Sequence, residues 1–376
     1  MARLRPVQAF RDESLDLEAR IARAIDSVGP RNVAQLARLT GAHQETIRYK
    51  IKKRFVGRGF RFQADVDFSK LGLCLYWANV TVHPLHYPNA GRLFEALNRE
   101  GYLIHFSKVL PGGYFVSLFA IPIGKGEELE KLLNNLMSMK IITGFSLSGV
   151  LVERHKPMDV AHFDFQKDRW EVDWQKIRNA PSLPLRPEKP KVSRNADEVD
   201  MLLIKELQID GLQHVSKIAK KLKVNEKTLE YHYRTHVLKD KLVPKYRVRW
   251  LRDLTRTVGH ATLVVVLTMR GTDERSYEKL QNAVNRIPYL WVEYRLDGGA
   301  YVAILGVPAN EFMEMMGYVN DELKQLDSKV ETEFEKVGES LTYTIPYHMF
   351  SDGRWRFDAD KSTSSVVREL TGGVEK

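Results

Sequence analysis

The sequence predicts an α+β chain built from two copies of one unit, each a winged helix-turn-helix head followed by a βαββαβ, ferredoxin-like body. Three observations carry that expectation: an ungapped internal repeat, a change of hydrophobic period inside each copy, and positive charge gathered into two corresponding windows.

The repeat is read first, because missing it would misassign the whole fold. NVAQLARLTGAHQETIRYKIKKRFVGRGFRFQADVDF, from Asn32, aligns without a gap on HVSKIAKKLKVNEKTLEYHYRTHVLKDKLVPKYRVRW, from His214. Matches fall where packing demands them: Val33 with Val215, Leu36 with Ile218, Ala37 with Ala219, Thr46 with Thr228, Ile47 with Leu229 and Tyr49 with Tyr231. Farther on, GYLIHFSKVLPGGYFVSLFAIP matches PYLWVEYRLDGGAYVAILGVP. Both copies close on one signature: Phe165, Arg169, Trp170, Asp173 and Lys176, then Phe350, Arg354, Trp355, Asp358 and Lys361. Pro181, Pro184, Pro187 and Pro190 between the copies forbid helix and favour a stiff connector. The expected divisions are heads at 1–68 and 196–253, bodies at 69–178 and 254–361, a linker at 179–195, and a flexible tail at 362–376.

In the first head Leu17, Ile21, Ala24, Ile25 and Val28 recur at helical spacing, and Gly29-Pro30 stops that helix. A second helix spans about 33–40 and turns at Gly41-Ala42 into a third, from His43 to about Arg54, with Ile47 and Ile51 inward. The second head repeats this with Val199, Leu203 and Leu207, then Ile218, Ala219 and Leu222, then Leu229, Tyr233 and Val237 inward, with Asn225 as N-cap of its third helix. Glycines 57 and 59 and the alternating RGFRFQADVDF predict a wing strand beside the third helix, with Arg58 and Arg61 over a phosphate backbone.

After each head, strand and helix alternate. The first body reads as strand 73–83, helix 91–100, strands 103–109 and 114–121, helix 126–138 and strand 145–152. The second reads as strand 260–269, helix 276–286, strands 290–296 and 301–307, helix 310–326 and strand 329–336. The uncovered sheet face of each body must be buried, and the other copy's sheet is the expected partner.

The net charge of +10 is informative once located. From Asn32 to Arg61 eight basic residues face one acid, Glu45; from His214 to Arg252 twelve face three, Glu226, Glu230 and Asp240. Those windows hold more than the whole net charge, a footprint that suits a polyanion. On the third helices the outer side chains His43, Gln44, Glu45, Arg48 and Lys52, and Asn225, Lys227, Tyr231 and Arg234, are placed to meet double-stranded DNA. Arg48 and Arg234 could pair with guanine, Gln44 or Asn225 with adenine, while Lys52, Lys53, Arg58, Lys239 and Lys241 suit phosphates. No apolar run is long enough for a membrane span, and the charged N-terminus lacks a signal peptide's apolar stretch, so a cytoplasmic, nucleoid-associated protein is expected. The one cysteine, Cys74, excludes an intramolecular disulfide and any multi-cysteine zinc site, and reads as strand filler.

A head, a wing strand and a βαββαβ body in that order resemble the leucine-responsive, or Lrp/AsnC, regulators of bacteria and archaea. Asp200, Leu203, Ile204, Leu207, Asp210 and Gly211 match that family's D-x-x-I-L-x-x-L-x-x-D-G opening. Ala64, Asp65, Val66, Asp67, Lys70, Leu71, Gly72 and Leu73 match its wing-to-body junction. The closing Arg-Trp segments and the Pro-rich linker lie outside the family pattern. The resemblance implies a transcription regulator acting as a single-chain pseudo-dimer on an asymmetric site, able to associate further. It also implies an amino acid or other small-molecule effector at the bodies, near Gly112, Gly113, Gly298 and Gly299. Those glycines stand where effector-binding members carry a Gly-x-x-Asp turn, but without the acid, and they also suit tight hairpins.

A non-specific DNA-coating protein would show similar charge, and the same two-domain plan occurs in siroheme decarboxylases, some of them fused pairs. Their His-Asn-Tyr-x-Arg type segment is incomplete here, as His105-Phe106-Ser107-Lys108 and Val292-Glu293-Tyr294-Arg295. The chain is therefore expected not to be an enzyme and to hold no cofactor. His232 and His236, four apart on a helix, could grip a metal, but no third ligand is evident nearby and the first copy has Lys50 and Arg54 there. No metal is expected.

Overall fold

The computed structural model describes residues 15–157, 159–167, 169–180, 196–250, 262–271, 273–324 and 329–371. Most of the connector, residues 181–195, lies outside them, as do the predicted start of the strand at 260 and the predicted end of the helix at 326.

The first head holds α1 (Leu17–Val28), α2 (Val33–Thr40) and α3 (Gln44–Tyr49), the last continuing through a wider, π-type turn at Lys50–Phe55. Asn32 caps α2 by accepting the Gln35 N–H, and Gly41 ends it in the left-handed region that a Cβ would disfavour. Ile47, Ile51 and Phe55 form the buried stripe of the third helix. Next come β1 (Phe60–Asp65) and a body of β2 (Leu73–Val82), α4 (Ala90–Gly101), β3 (Leu103–Leu110), β4 (Phe115–Pro122), α5 (Gly126–Ser138) and β5 (Ile142–His155). A short hairpin, β6 (Phe163–Asp164) and β7 (Arg169–Trp170), and α6 (Trp174–Arg178) close the copy.

The second copy repeats the plan: α7 (Glu198–Ile209), α8 (Val215–Leu222), α9 (Glu226–His232) with a π-type turn at Tyr233–Lys239, and β8 (Lys245–Trp250). Its body is β9 (Thr262–Met269), α10 (Glu274–Arg286), β10 (Leu290–Leu296), β11 (Tyr301–Pro308), α11 (Phe312–Leu323) and β12 (Val330–Thr342). A hairpin of β13 (Phe350–Ser351) and β14 (Arg354–Trp355) leads into α12 (Ala359–Thr371).

Each body has the antiparallel order expected of βαββαβ: β5-β2-β4-β3 and β12-β9-β11-β10. The sheets do more than face each other. They join edge to edge, β5 to β10 and β3 to β12, into one closed eight-stranded barrel. Closure removes the four strand edges that two open sheets would expose. It also explains why β5 and β12 run past the predicted ends at 152 and 336: their distal residues, His155 against Val292 and Thr342 against His105, form the seams.

Two expectations are corrected. The strand after each third helix is not a wing folded on its own head, because β1 pairs antiparallel with β8 of the other copy. Ala64 lies opposite Tyr246, and these are equivalent positions of the repeat, so the ladder is centred on the pseudo-two-fold axis. The tail is not loose either. α12 packs against α4 and α5 of the first body, with Thr363 buried and accepting from Asn135 Nδ2 at 3.1 Å, and Val366 fully buried.

The closing segments cross between copies. Trp170 meets Tyr289 of the second body edge to face at 4.9 Å, and the Trp174 Nε1–H donates to Glu311 there at 3.1 Å. Trp355 donates to the Leu71 carbonyl at 2.6 Å, and its ring lies 5.9 Å from that of Tyr102 in the first body. Each segment also touches its own head, through Phe165 against Phe55 and through Tyr347 donating to Gln208.

Candidate nucleic-acid interface

The third helices place their polar side chains outward. Gln44, Glu45, Arg48, Lys52 and Lys53 are exposed in the first head, as are Lys227, Tyr231, Arg234, Lys239 and Lys241 in the second. Arg61 is exposed on β1. The cross-copy β1 to β8 ladder fixes the two basic helices relative to one another, because α1 packs on β8 and α7 on β1.

Several of these residues already have partners. His43 and Asn225 are N-caps: His43 Nδ1 accepts the Glu45 N–H at 3.3 Å and Asn225 Oδ1 the Lys227 N–H at 2.9 Å. That uses one of the two lone pairs of Asn225 Oδ1 and holds the side chain against its own helix end. Arg48 pairs with Glu45, and Arg234 with Glu230 at 2.7 Å, so both proposed guanine readers rest in ion pairs on their own helix. Arg58, expected over phosphates, is half-buried and donates to the Phe165 carbonyl at 3.0 Å, so it also anchors the first closing segment. Tyr233, expected inward, is half-buried beneath the Arg31 guanidinium.

Beneath the heads, at the pseudo-two-fold, lies a compensated ionic cluster. Arg247 holds Asp65 at 2.9 Å and also reaches His155 Nδ1 at 2.8 Å; His155 Nε2 in turn meets Glu153 at 2.9 Å. Burial opposes the charge on Asp65, but Arg247, His155 and Lys245 outweigh it and hold its carboxyl below the ordinary aspartate range. On the β5 to β10 seam the buried Glu293 takes Arg154 at 3.0 Å, Gln281 at 2.9 Å, Asn285 at 3.0 Å and Tyr301 at 2.7 Å.

The four glycines sit at the β3–β4 and β10–β11 turns, where Gly113, Gly298 and Gly299 take φ of +72°, +72° and +79°. Gly112 has no room for a Cβ beside Tyr114 and Glu333. All four are accounted for as turn residues. Next to the second turn an open groove of about 660 Å³ is lined by Tyr76, Glu127, Glu130, Asn134 and Asp297, so its polar wall is acidic.

Two buried ionic contacts escaped sequence reasoning. Glu18 and Asp200, equivalent residues of helix one in the two copies, are buried against the third helix. Glu18 accepts Lys50 at 2.6 Å and lies 3.6 Å from Arg54, whereas Asp200 meets His232 at 2.9 Å and His236 at 2.8 Å. The third group missing from the histidine pair is therefore Asp200. It lies 32 residues before His232, and only the capping-box pair Asp197 and Asp200 hints that this carboxylate opens a helix.

No family model and no curated protein sequence matches the chain. Solved structures do. The siroheme decarboxylase NirDL shares the fold over 96% of this chain and all of its own, at 12% identity and a TM-score of 0.56. The same protein in complex with an iron-uroporphyrin III analogue gives 95%, 12% and 0.53. An AsnC family transcriptional regulator from Agrobacterium tumefaciens matches 42% of this chain and all of its own, at 18% identity and a TM-score of 0.34. The expectation that the chain is not an enzyme is thereby overturned: an enzyme has this fold along nearly the whole chain, heads and bodies included. Among the described residues no helix is long and apolar enough to cross a membrane.

Proposed function

We propose that the chain binds double-stranded DNA through its two heads and acts as a transcription regulator, a single-chain pseudo-dimer on an asymmetric site. One observation carries the reading. Two exposed basic third helices flank a pseudo-two-fold ladder, while their apolar faces stay buried and the chain outside the two basic windows is net negative. The outer faces differ, Arg48 against Glu230 and Gln44 against Glu226, so the half-sites differ. Selection of bound sites from a random DNA pool tests this. A specific regulator keeps a preference of roughly a thousandfold or more over random DNA at physiological salt. Equal affinity for all sequences would leave a DNA-coating protein, and no binding at all would remove the reading. An amino acid or other small effector at the bodies is part of the same proposal; the acidic groove beside Asp297 suits a cationic group better than a carboxylate.

A second reading, tetrapyrrole decarboxylation in the bodies, is favoured by the full-length likeness to the decarboxylase. Against it, the segment typical of such enzymes is incomplete in both copies, with Phe106 and Ser107 after His105 and with Val292 and Glu293 before Tyr294. His105, the histidine of the incomplete segment, is engaged at the β3 to β12 seam, with Nδ1 3.0 Å from Thr342 Oγ1. Adding an iron-uroporphyrin to the pure chain and following its absorbance, then carbon dioxide release, decides the matter: a shifted spectrum with turnover supports the enzyme, an unchanged one rejects it.

A further inference from the structure

We propose that Asp200, His232 and His236 form a binding site for one divalent ion of the zinc class, pinning helix one to helix three of the second head. The three side chains offer ligand atoms that all lie within 4.8 Å of one another. Both imidazoles direct the same atom, Nδ1, at one carboxylate: His232 at 2.9 Å from Oδ1, and His236 at 2.8 Å from Oδ1 and 2.9 Å from Oδ2. Four-coordinate zinc with bonds of about 2.0–2.1 Å sets neighbouring ligand atoms about 3.3 Å apart, between the 2.8–2.9 Å of the carboxylate–imidazole contacts and the 4.8 Å limit of the cluster, so side-chain rotations alone would have to open the former and draw the wider pair together. Asp197 Oδ1, 3.6 Å from His232 Nδ1, stands at a fourth position that it or a water could fill.

The first copy shows why a cation belongs there. At the equivalent positions the buried Glu18 is neutralised by two fixed charges, Lys50 and Arg54. The second copy keeps the carboxylate, fully buried, and replaces both fixed cations by imidazoles. Imidazoles carry no fixed charge, so the two fixed cations that face Glu18 have no counterpart at Asp200, while their ring nitrogens can ligate a metal as an ammonium or guanidinium cannot. A divalent ion held through both Nδ1 atoms restores the balance, with nitrogen and oxygen donors of the kind zinc, cobalt and nickel prefer. The carboxylate already accepts the Asp197 N–H through Oδ2 at 3.1 Å, which fixes its orientation as an outer-shell bond does in metal sites. Asp197, which caps the N-terminus of helix one, also faces the triad, and the Tyr231 ring lies 5.7 Å from both imidazole rings.

The inference does not depend on DNA binding and is tested without it. Tag-free full-length protein is titrated with Co²⁺ at neutral pH, followed by visible absorbance, and then with Zn²⁺. One equivalent of cobalt with a four-coordinate spectrum, displaced by zinc, is expected. In the His232→Lys, His236→Arg double variant, which installs the first copy's own cations, affinity should fall by more than about a hundredfold, since two inner ligands are lost. A ¹⁵N-edited spectrum of the unaltered protein needs no variant: zinc should shift the Nδ1 resonances of two of the 11 histidines. No cobalt spectrum with one equivalent, unshifted Nδ1 resonances, or equal affinity in a folded double variant would each overturn the site.

Discussion

Replacing Lys52 and Lys53 by serine should separate charge from fold in the DNA reading. Both side chains are exposed past the buried stripe of the third helix, so the folded chain loses no packing with them. Each phosphate contact contributes about 0.9 to the slope of log affinity on log salt, so the double variant should lose about 1.8 from that slope. Extrapolated to 0.1 M monovalent salt, that corresponds to roughly sixty-fold weaker binding, or about 2.4 kcal/mol. The assay is fluorescence anisotropy on one duplex at four salt concentrations, with thermal unfolding as the control. An unchanged slope alongside an unchanged melting temperature would show that the first head does not lie on the phosphates, and would refute the charge argument even if the protein bound DNA by other means.

Three further outcomes follow from named contacts. Glu45→Gln releases Arg48 from an exposed in-helix pair worth about 0.3–0.5 kcal/mol, so DNA affinity should rise about twofold. Weaker binding would mean that Arg48 does not reach DNA. Arg154→Met leaves the Glu293 carboxylate, 2% exposed, with only neutral donors; unfolding by urea should show a loss of about 3 kcal/mol, largely recovered when Glu293→Gln is added. Burial pushes Lys156 down to about 8, against the pull of Asp159 and Glu293, while its Nζ donates to the Asn285 and Ile287 carbonyls. Its folded value is depressed, so the penalty for its charge is complete below pH 8. Above that the unfolded chain binds the extra proton, and stability should gain up to about 1.4 kcal/mol per pH unit until the ordinary lysine value near 10.4. Denaturant curves at pH 7.5, 8.5 and 9.5 should show that gain in the parent and not in Lys156→Met; parallel trends would contradict it.

Much of the fold was legible because it is written twice and locally. Ile47, Ile51, Leu229 and Val237 announce the third helices by spacing, and the αββα alternation of each body reads from apolar runs that the observed strands extend by only a few residues. What was not legible depends on the other copy. FRFQAD from Phe60 reads equally as a wing or as half of a cross-copy ladder, since alternation fixes which face is buried and not which strand is the neighbour. The segment from Ser362 reads as loose tail because it is small, polar and glycine-bearing; the burial of Ser362, Thr363 and Val366 against the first body overrides that composition. The Asp200 contact with the histidines was invisible for a similar reason. Nothing in a helix-spacing argument links position 200 to position 232 until helix one is laid across helix three.

The crossing of the closing segments changes what the duplication means. Trp170 and Trp174 complete the second body, and Trp355 and α12 complete the first, so neither body is finished by its own copy. The heads are likewise paired through β1 and β8, and the barrel is sealed at two seams between copies. A single copy would therefore expose strand edges at β1, β3 and β5 together with the Tyr102 surface, liabilities that a free monomer would have to cover by finding a partner. Linking the copies in one chain makes that partner always present and always the other version. Equivalent positions are then free to differ: Glu18 with fixed cations on one side, Asp200 with imidazoles on the other, and Arg48 facing outward where its counterpart is Glu230. The difference is not confined to the third helices: at the ladder Asp65 pairs with Arg247, its own equivalent in the repeat, and the β5 to β10 seam gathers Arg154, Gln281, Asn285 and Tyr301 around the buried Glu293 where the other copy has Phe106, so fusion has let the shared core of the pair become asymmetric as well.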